Sequence, residues 1–314
     1  MARTRQRDQK QIEEITTADL IAPQYWLTWL GLGLMRLIAF LPFYWQLKLG
    51  TALGYLLFIF ARQRRKIAAI NIQLCFPKLS AERQAALVKQ TMIENGIGLI
   101  ETCIAWWSWQ RIHLSDIDVE GAEYLADAKA LGRGVVLVGA HYSTQDMGGV
   151  LMSVINKVYV MYSTHKNPVF NYVMVNSRKQ FCKNVIERGD MRQVIRCLKA
   201  GNIVWYAPDQ DYGVKHSVFA PFFDVPAATI TATSRLAKIN HSPVLILSHH
   251  RKADGLGYRV CISPPLENFP SGDDVLDATA INTALAREIR KFPAQYMWVH
   301  RRFKSRPAGE QNLY

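Results

Sequence analysis

The 314-residue chain is 49% hydrophobic and sets 38 Lys and Arg against 25 Asp and Glu, a formal charge of +13. That apolar content is enough to bury a core and excludes a disordered chain, while the charge calls for an acidic partner: nucleic acid, an anionic membrane surface or an acidic carrier protein. Five scattered cysteines (Cys75, Cys103, Cys182, Cys197, Cys261), odd in number and without CxxC spacing, exclude a disulfide framework and a metal centre, and read as reduced thiols on the cytoplasmic side.

Residues 1–14 are charged and helix-permissive, with no small-residue cleavage site, so no secretory signal is read there. Across 20–60 the composition turns apolar and aromatic, with Tyr25, Trp26, Trp29, Tyr44, Trp45 and Tyr55 among Leu, Ile and Phe, and the basic cluster ARQRRK (61–66) follows. One reading is a buried helical hairpin broken at Pro42. Arg36, Pro42 and Lys48 interrupt the apolar run below the ~20 residues of a membrane span. Interfacial aromatics with a basic flank favour a second reading, an anchor lying in or dipping into a bilayer. Pro77 stops the next element, and Ser80 is a plausible N-cap, with Glu82 in the first turn, for a helix running to about Trp109. Trp106, Trp107 and Trp109 are read as core. IDVEGA (117–122) alternates like an edge strand.

The organising stretch is VVLVGAHYSTQDMGG (135–149). A β-branched apolar run predicts a buried strand, and it ends at His141, five positions before Asp146. If a helix starts near Ser143 or Thr144, Asp146 lies in its first turn and is able to hold one ring nitrogen of His141, leaving the other to act as a general base. A lone His-x4-Asp pair is more often structural, so its context decides. Beyond it, strands are read at 157–162, 203–206, 244–249 and 258–262, and helices at 168–179, 191–200 and 275–291. This alternation predicts an α/β fold: a mixed, largely parallel sheet flanked by helices, with an N-terminal helical membrane-associated segment. The domains are read as a basic arm and apolar anchor over 1–66 and an α/β domain over 67–314.

PDQDYG (208–213) sets Asp209 and Asp211 at another strand's carboxyl end, where ligands gather in open α/β sheets; a turn built from Pro, Asp and Gly is the competing reading. SVFAPFFDVPAAT (217–229) reads as a loop, its Phe219, Phe222 and Phe223 either plugging the core or walling a hydrocarbon chain. Arg178 and Arg188 flank the middle helices, and Arg301, Arg302, Lys304 and Arg306 end the chain; arginine holds phosphate or carboxylate through paired hydrogen bonds.

HYSTQD (141–146), HKNP (165–168), GNIVWYAPDQDYG (201–213), SVFAPFF (217–223) and QYMWVHRRFKSRP (295–307) resemble, in that order, the lipid A late acyltransferases of Gram-negative bacteria, nearest their lauroyl transferase branch. The likeness runs from about Leu20 to near the end, and its ordered motifs are far more specific than His-x4-Asp alone. It implies a general base at His141 oriented by Asp146, where the family also admits Glu. It further implies transfer of a fatty acyl group, lauroyl by the branch, from acyl carrier protein to a hydroxyl on a phosphorylated, Kdo-bearing lipid A precursor, at the bacterial inner membrane with the catalytic domain facing the cytoplasm. No cofactor beyond the acyl carrier protein co-substrate is implied. No GxSxG elbow is present, so direct attack is expected rather than an acyl-enzyme. Substrate or oxyanion contacts fall to Arg178, Arg188 and Asp209. A nucleic-acid binder is disfavoured because no helix-turn-helix, zinc or RNP pattern occurs. The nearer rival is a membrane-lipid or acyl-thioester hydrolase using the same His-Asp pair.

Overall fold

Short buried runs separated by helical segments satisfy their backbone hydrogen bonds most simply as parallel strands with helices over both faces. The computed structural model, which describes residues 17–255 and 257–314, has this arrangement; the charged stretch 1–14 lies outside the described residues. The strands are β1 (Ile117–Glu120), β2 (Val135–Gly139), β3 (Tyr159–Tyr162), β4 (Asn184–Glu187), β5 (Ile203–Tyr206), β6 (Ser217–Phe222), β7 (Val225–Ile230), β8 (Val244–Arg251) and β9 (Tyr258–Ile262). Seven form one sheet in the order β1-β9-β8-β2-β5-β3-β4. From β8 through β4 all neighbours are parallel; β9 runs antiparallel to β8, and β1 parallel to β9. IDVE is the edge strand its alternation suggested.

The helices of nine or more residues are α1 (Trp26–Ala39), α2 (Phe43–Phe60), α3 (Arg62–Cys75), α4 (Ala81–Trp107), α5 (Ala122–Ala130), α6 (Gln145–Ile155), α7 (Pro168–Phe181), α8 (Met191–Lys199), α9 (Ala232–Asn240) and α10 (Asp274–Lys291). β2 explains its own sequence. Val136 and Val138 pack into a core with Leu198 of α8, Leu236 of α9 and Leu285 of α10. Val135 and Leu137 face the opposite core, with Trp106 of α4 and Met147 and Leu151 of α6. Buried on both sides, the strand reads as a continuous apolar run rather than an alternating one.

Ser80 caps α4, its hydroxyl accepting from the Arg83 N–H, and Trp106 is fully buried, as core. Arg251 at the end of β8 is buried against Glu94 and Glu101, fastening α4 to the sheet by a paired, desolvated cluster. Such a cluster costs several kcal/mol if one partner is removed. α2 lies against α4 where Gly50 and Gly54 meet Ile97 and Ile93; a Cβ at either glycine would collide with the α4 backbone. The outward sides of α1 and α2 stay apolar and uncovered: Trp26, Leu27, Leu30, Leu34 and Leu37 on α1, and Trp45, Leu56, Ile59 and Phe60 on α2. Leu27 is 80% exposed and Phe60 76%, which no buried hairpin permits. Among the described residues no helix is long and apolar enough to cross a membrane.

The loop expected over 217–229 changes, and two elements are added. The stretch 217–229 is not a loop but the hairpin β6–β7. Its two-residue turn, Phe223-Asp224, has both φ positive (52° and 67°), the geometry that matches strand twist but normally recruits Asn-Gly; Phe-Asp hid the signal. Phe222 and Phe223 are buried in the core, so these two plug rather than wall a channel. Strand β4 and helix α9 are additional to the elements the sequence predicts.

Candidate active site

Register brings the first two groups together. Val138 of β2 pairs with Tyr206 of β5 in parallel, so the third residues beyond them, His141 and Asp209, leave the sheet side by side. Asp209 accepts from the His141 backbone N–H through Oδ2 at 3.0 Å, while its Oδ1 lies 2.6 Å from Nδ1 of the same residue's ring. Asp209 is 1% exposed, and the His141 side chain 24%. Burial pushes the Asp209 carboxyl up, but the His141 imidazole, the His141 N–H and the Tyr296 hydroxyl outweigh it and hold the group at about 2. An ionised carboxylate only accepts, which fixes the ring proton on Nδ1 and leaves Nε2 to take a proton.

This corrects the partner expected for His141. Asp146 does fall in the first turn of α6, but from there it faces α7, where Arg178 grips it with Nε at 2.6 Å from Oδ1 and Nη2 at 3.2 Å from Oδ2. The planar fork of Arg178 matches the two carboxylate oxygens, while the Nδ1 side of His141 is already filled by the end of β5. Burial opposes the Arg178 charge, yet Asp146 more than compensates and raises its pKa. The pair borders a small cleft whose apolar side is Val160, Met161, Phe181, Cys182 and Trp205. Burial raises the Cys182 thiol to about 12, so no thiolate nucleophile stands there.

The C-terminal motif frames the same turn. The Met297 N–H donates to the His141 carbonyl at 2.9 Å, and the Ser143 N–H donates to the Gln295 carbonyl at 2.7 Å. His300 comes within 6.0 Å of His141, ring centre to ring centre, and burial together with the His141 charge lowers its pKa to about 4. Arg302, read as a candidate phosphate ligand, is instead buried, donating to the Ala228 carbonyl at 2.7 Å and to Thr229 Oγ1 at 2.9 Å. Asp211 accepts from the Gly213 N–H at 2.8 Å, the turn role weighed for that stretch, and also from the Ser305 N–H and hydroxyl. Arg188 is exposed, its guanidinium 5.6 Å from the Tyr212 ring centre. Asn167 caps α7, accepting from the Phe170 N–H at 3.1 Å, and its amide donates to Thr28 of α1 at 2.9 Å, linking the apolar hairpin to the helix that carries Arg178.

A mixed α/β sheet carries a carboxylate-held imidazole at a strand end, an arrangement able to take a proton, and an Arg–Asp pair borders a small cleft with an apolar side. The sequence profile of the bacterial lipid A biosynthesis acyltransferases matches residues 15–305. Relatives in Escherichia coli K12 include a lipid A biosynthesis palmitoleoyltransferase, 39% identical over 298 residues (94% of this chain, 97% of that protein), and a lauroyltransferase, 37% identical over 296 residues with the same coverage. A myristoyltransferase of the same strain is 30% identical over 297 residues (93% and 91%). The chain belongs to the lipid A biosynthesis acyltransferase family and is an acyltransferase of that pathway.

Proposed function

We propose that the enzyme transfers a lauroyl group from acyl carrier protein to an acyl-chain hydroxyl of a Kdo-bearing lipid A precursor by direct attack. The observation that supports the direct-attack part of this reading is the Asp209–His141 pair, in which Asp209 takes up Nδ1 and leaves Nε2 as the proton-accepting nitrogen. Nε2 removes the hydroxyl proton as the oxygen bonds to the thioester carbonyl carbon. The tetrahedral oxyanion is met by Arg178 Nη1, the nitrogen that Asp146 does not hold. Collapse breaks the carbon–sulfur bond, and the proton on Nε2 passes to the departing thiolate. Asp209 steadies the transient imidazolium, and Asp146 holds Arg178 in place. Arg188, on the exposed edge, serves the phosphate or sugar carboxylate of the acceptor.

Membrane association rests on the uncovered apolar sides of α1 and α2 and on Arg62 and Arg64 just beyond them, also exposed. Interfacial helices combine such a face with basic residues for anionic headgroups. The enzyme sits on the cytoplasmic side of the inner membrane, and the formal charge of +13 suits both the carrier protein and the phosphorylated acceptor.

The test is a purified reaction with the precursor and a panel of lauroyl, myristoyl and palmitoleoyl carrier-protein thioesters, products weighed by mass spectrometry. The reading expects the precursor to gain one lauroyl group and the same acyl-coenzyme A to serve poorly. A preference for palmitoleoyl would overturn the chain length, equal use of coenzyme A the carrier protein, and release of free fatty acid with unchanged precursor would make the enzyme a hydrolase.

A further inference from the structure

The His141 turn is braced on its second flank by a histidine that the proposed chemistry does not use. Ile246 of β8 pairs with Val138 of β2, so His249, three residues further on and still within β8, stands level with His141 as Asp209 does beyond β5. His249 is 1% exposed. Its Nδ1 lies 2.9 Å from Oγ1 of Thr144, the N-cap residue just before α6. A threonine in that position normally turns its hydroxyl onto a free N–H of the helix's own first turn; Thr144 makes no such bond.

The ring is held on all sides. Tyr142 and Trp205 meet it edge-on at 5.2 and 5.7 Å between ring centres. Gly148 of α6 leaves room that any Cβ would take from the imidazole. Burial lowers the ring's pKa to about 3, so it is neutral at working pH. With its proton on Nδ1, His249 donates to Thr144 Oγ1, and that hydroxyl donates in turn to the His249 carbonyl at 3.4 Å. Nε2, buried without a hydrogen-bond partner, then carries a lone pair rather than an orphaned N–H. The neighbouring residues of the turn are fixed through backbone: His141 by Met297, and Ser143 by Gln295. The carbonyl of Ser143 also sits directly against Gly98 of α4. Thr144, two residues before Asp146, accepts from the Gly148 N–H through its carbonyl at 2.8 Å, and its side chain is what ties it across to β8.

We propose that Thr144 and His249 are positioning residues for acyl transfer, their hydrogen bond setting the turn that spaces the His141 base from the Asp146–Arg178 pair. The inference rests on the general-base reading above. A displacement near 1 Å at such a turn is worth about 10²-fold in rate. The test compares Thr144→Val, which keeps the shape without the hydroxyl, with Thr144→Ser, which keeps the hydroxyl. It also compares His249→Asn, which retains a donor near Nδ1, with His249→Leu. Each is checked for folding by thermal melting, and kcat and acceptor KM are measured beside His141→Ala. Thr144→Val is expected to lose about 10- to 100-fold in kcat with KM within about twofold. Thr144→Ser recovers most of that loss, and His249→Asn exceeds His249→Leu by about tenfold. Equal kcat in Thr144→Val and Thr144→Ser, with His141→Ala inactive, would overturn this inference alone; should Thr144→Val not fold, equal kcat in the two His249 variants does so. Full activity in His141→Ala would bring down the general-base reading and this one with it.

Discussion

Replacing Asp209 by Asn tests the site more sharply than deleting the side chain, because both groups on the carboxylate are donors: the His141 N–H and, in the base-competent tautomer, Nδ1–H. An amide has one acceptor and one donor end, so one contact must become donor against donor or the ring must change. If the amide oxygen stays with the backbone, its NH₂ faces the ring, favours the proton on Nε2, and blocks the base. If the oxygen stays with Nδ1, the backbone N–H is left buried and unpaired, at a cost of about 1–3 kcal/mol. In both arrangements the negative charge that stabilises the imidazolium is gone, and the charge-assisted bond with it, worth about 1.5–3 kcal/mol. Loss of oriented general-base catalysis is then about 10²–10⁴-fold in kcat, with acceptor KM little changed because Asp209 is buried behind the ring. The assay is steady-state transfer in detergent micelles, with circular dichroism to confirm folding. A folded Asp209→Asn enzyme within threefold of wild type would refute the reasoning.

Arg178→Lys keeps the charge but gives up the two-point grip on Asp146, and should lose about 10²-fold or more in kcat; rates near wild type would remove Arg178 from oxyanion stabilisation. Exchanging Leu27, Leu30 and Leu34 for Ser should release the protein from anionic vesicles in a flotation assay while transfer to detergent-dispersed acceptor falls much less; unchanged flotation would deny these residues a membrane role. Acid should destabilise the fold well before carboxylates protonate. Burial lowers His249 to about 3, and burial with Arg259 lowers His250 to about 4. The unfolded chain therefore binds more protons, and stability falls as pH drops through about 6.5, by roughly 2 kcal/mol for each histidine at pH 5. Urea midpoints at pH 7.5 and pH 5 measure this, and the difference should shrink in His250→Gln; no difference between the two pH values would contradict the buried neutral state.

The sheet's central elements were legible because β2, β5 and the start of β8 are apolar runs bounded by turn residues, and α4 and α10 are long with capping side chains at Ser80 and Asp273. β4 escaped because NVIE is flanked by polar residues, and the β6–β7 hairpin because its turn is Phe-Asp. His141, Asp146, Arg178 and Asp209 were each singled out from sequence, and the structure joins them as two pairs, His141 with Asp209 and Asp146 with Arg178, but that pairing was not legible. Local spacing connects His141 to Asp146 five residues away. Which strand lies beside β2, and in what register, is set by packing over the whole sheet, and that decides that Asp209, 68 residues on, holds the ring. Tyr296 and Met297 were invisible as site elements for the same reason. Arg302 read as a surface cation because charge runs usually are solvated; its hydrogen bonds to β7 and to Asn282 of α10 come from elements far away in the chain.

The central claim is that His141 draws the proton from the acceptor hydroxyl so that the acyl group passes directly onto the lipid. Its most direct test is a single-turnover reaction of isotopically labelled acyl carrier protein thioester with the precursor, quenched over time and weighed by mass spectrometry, for the wild-type enzyme and for folded His141→Ala. The account predicts that the wild-type precursor gains the labelled acyl group without labelled protein appearing at any time, and that His141→Ala forms product at least about 10²-fold more slowly. Labelled enzyme accumulating before product, or transfer by His141→Ala at the wild-type rate, would contradict it.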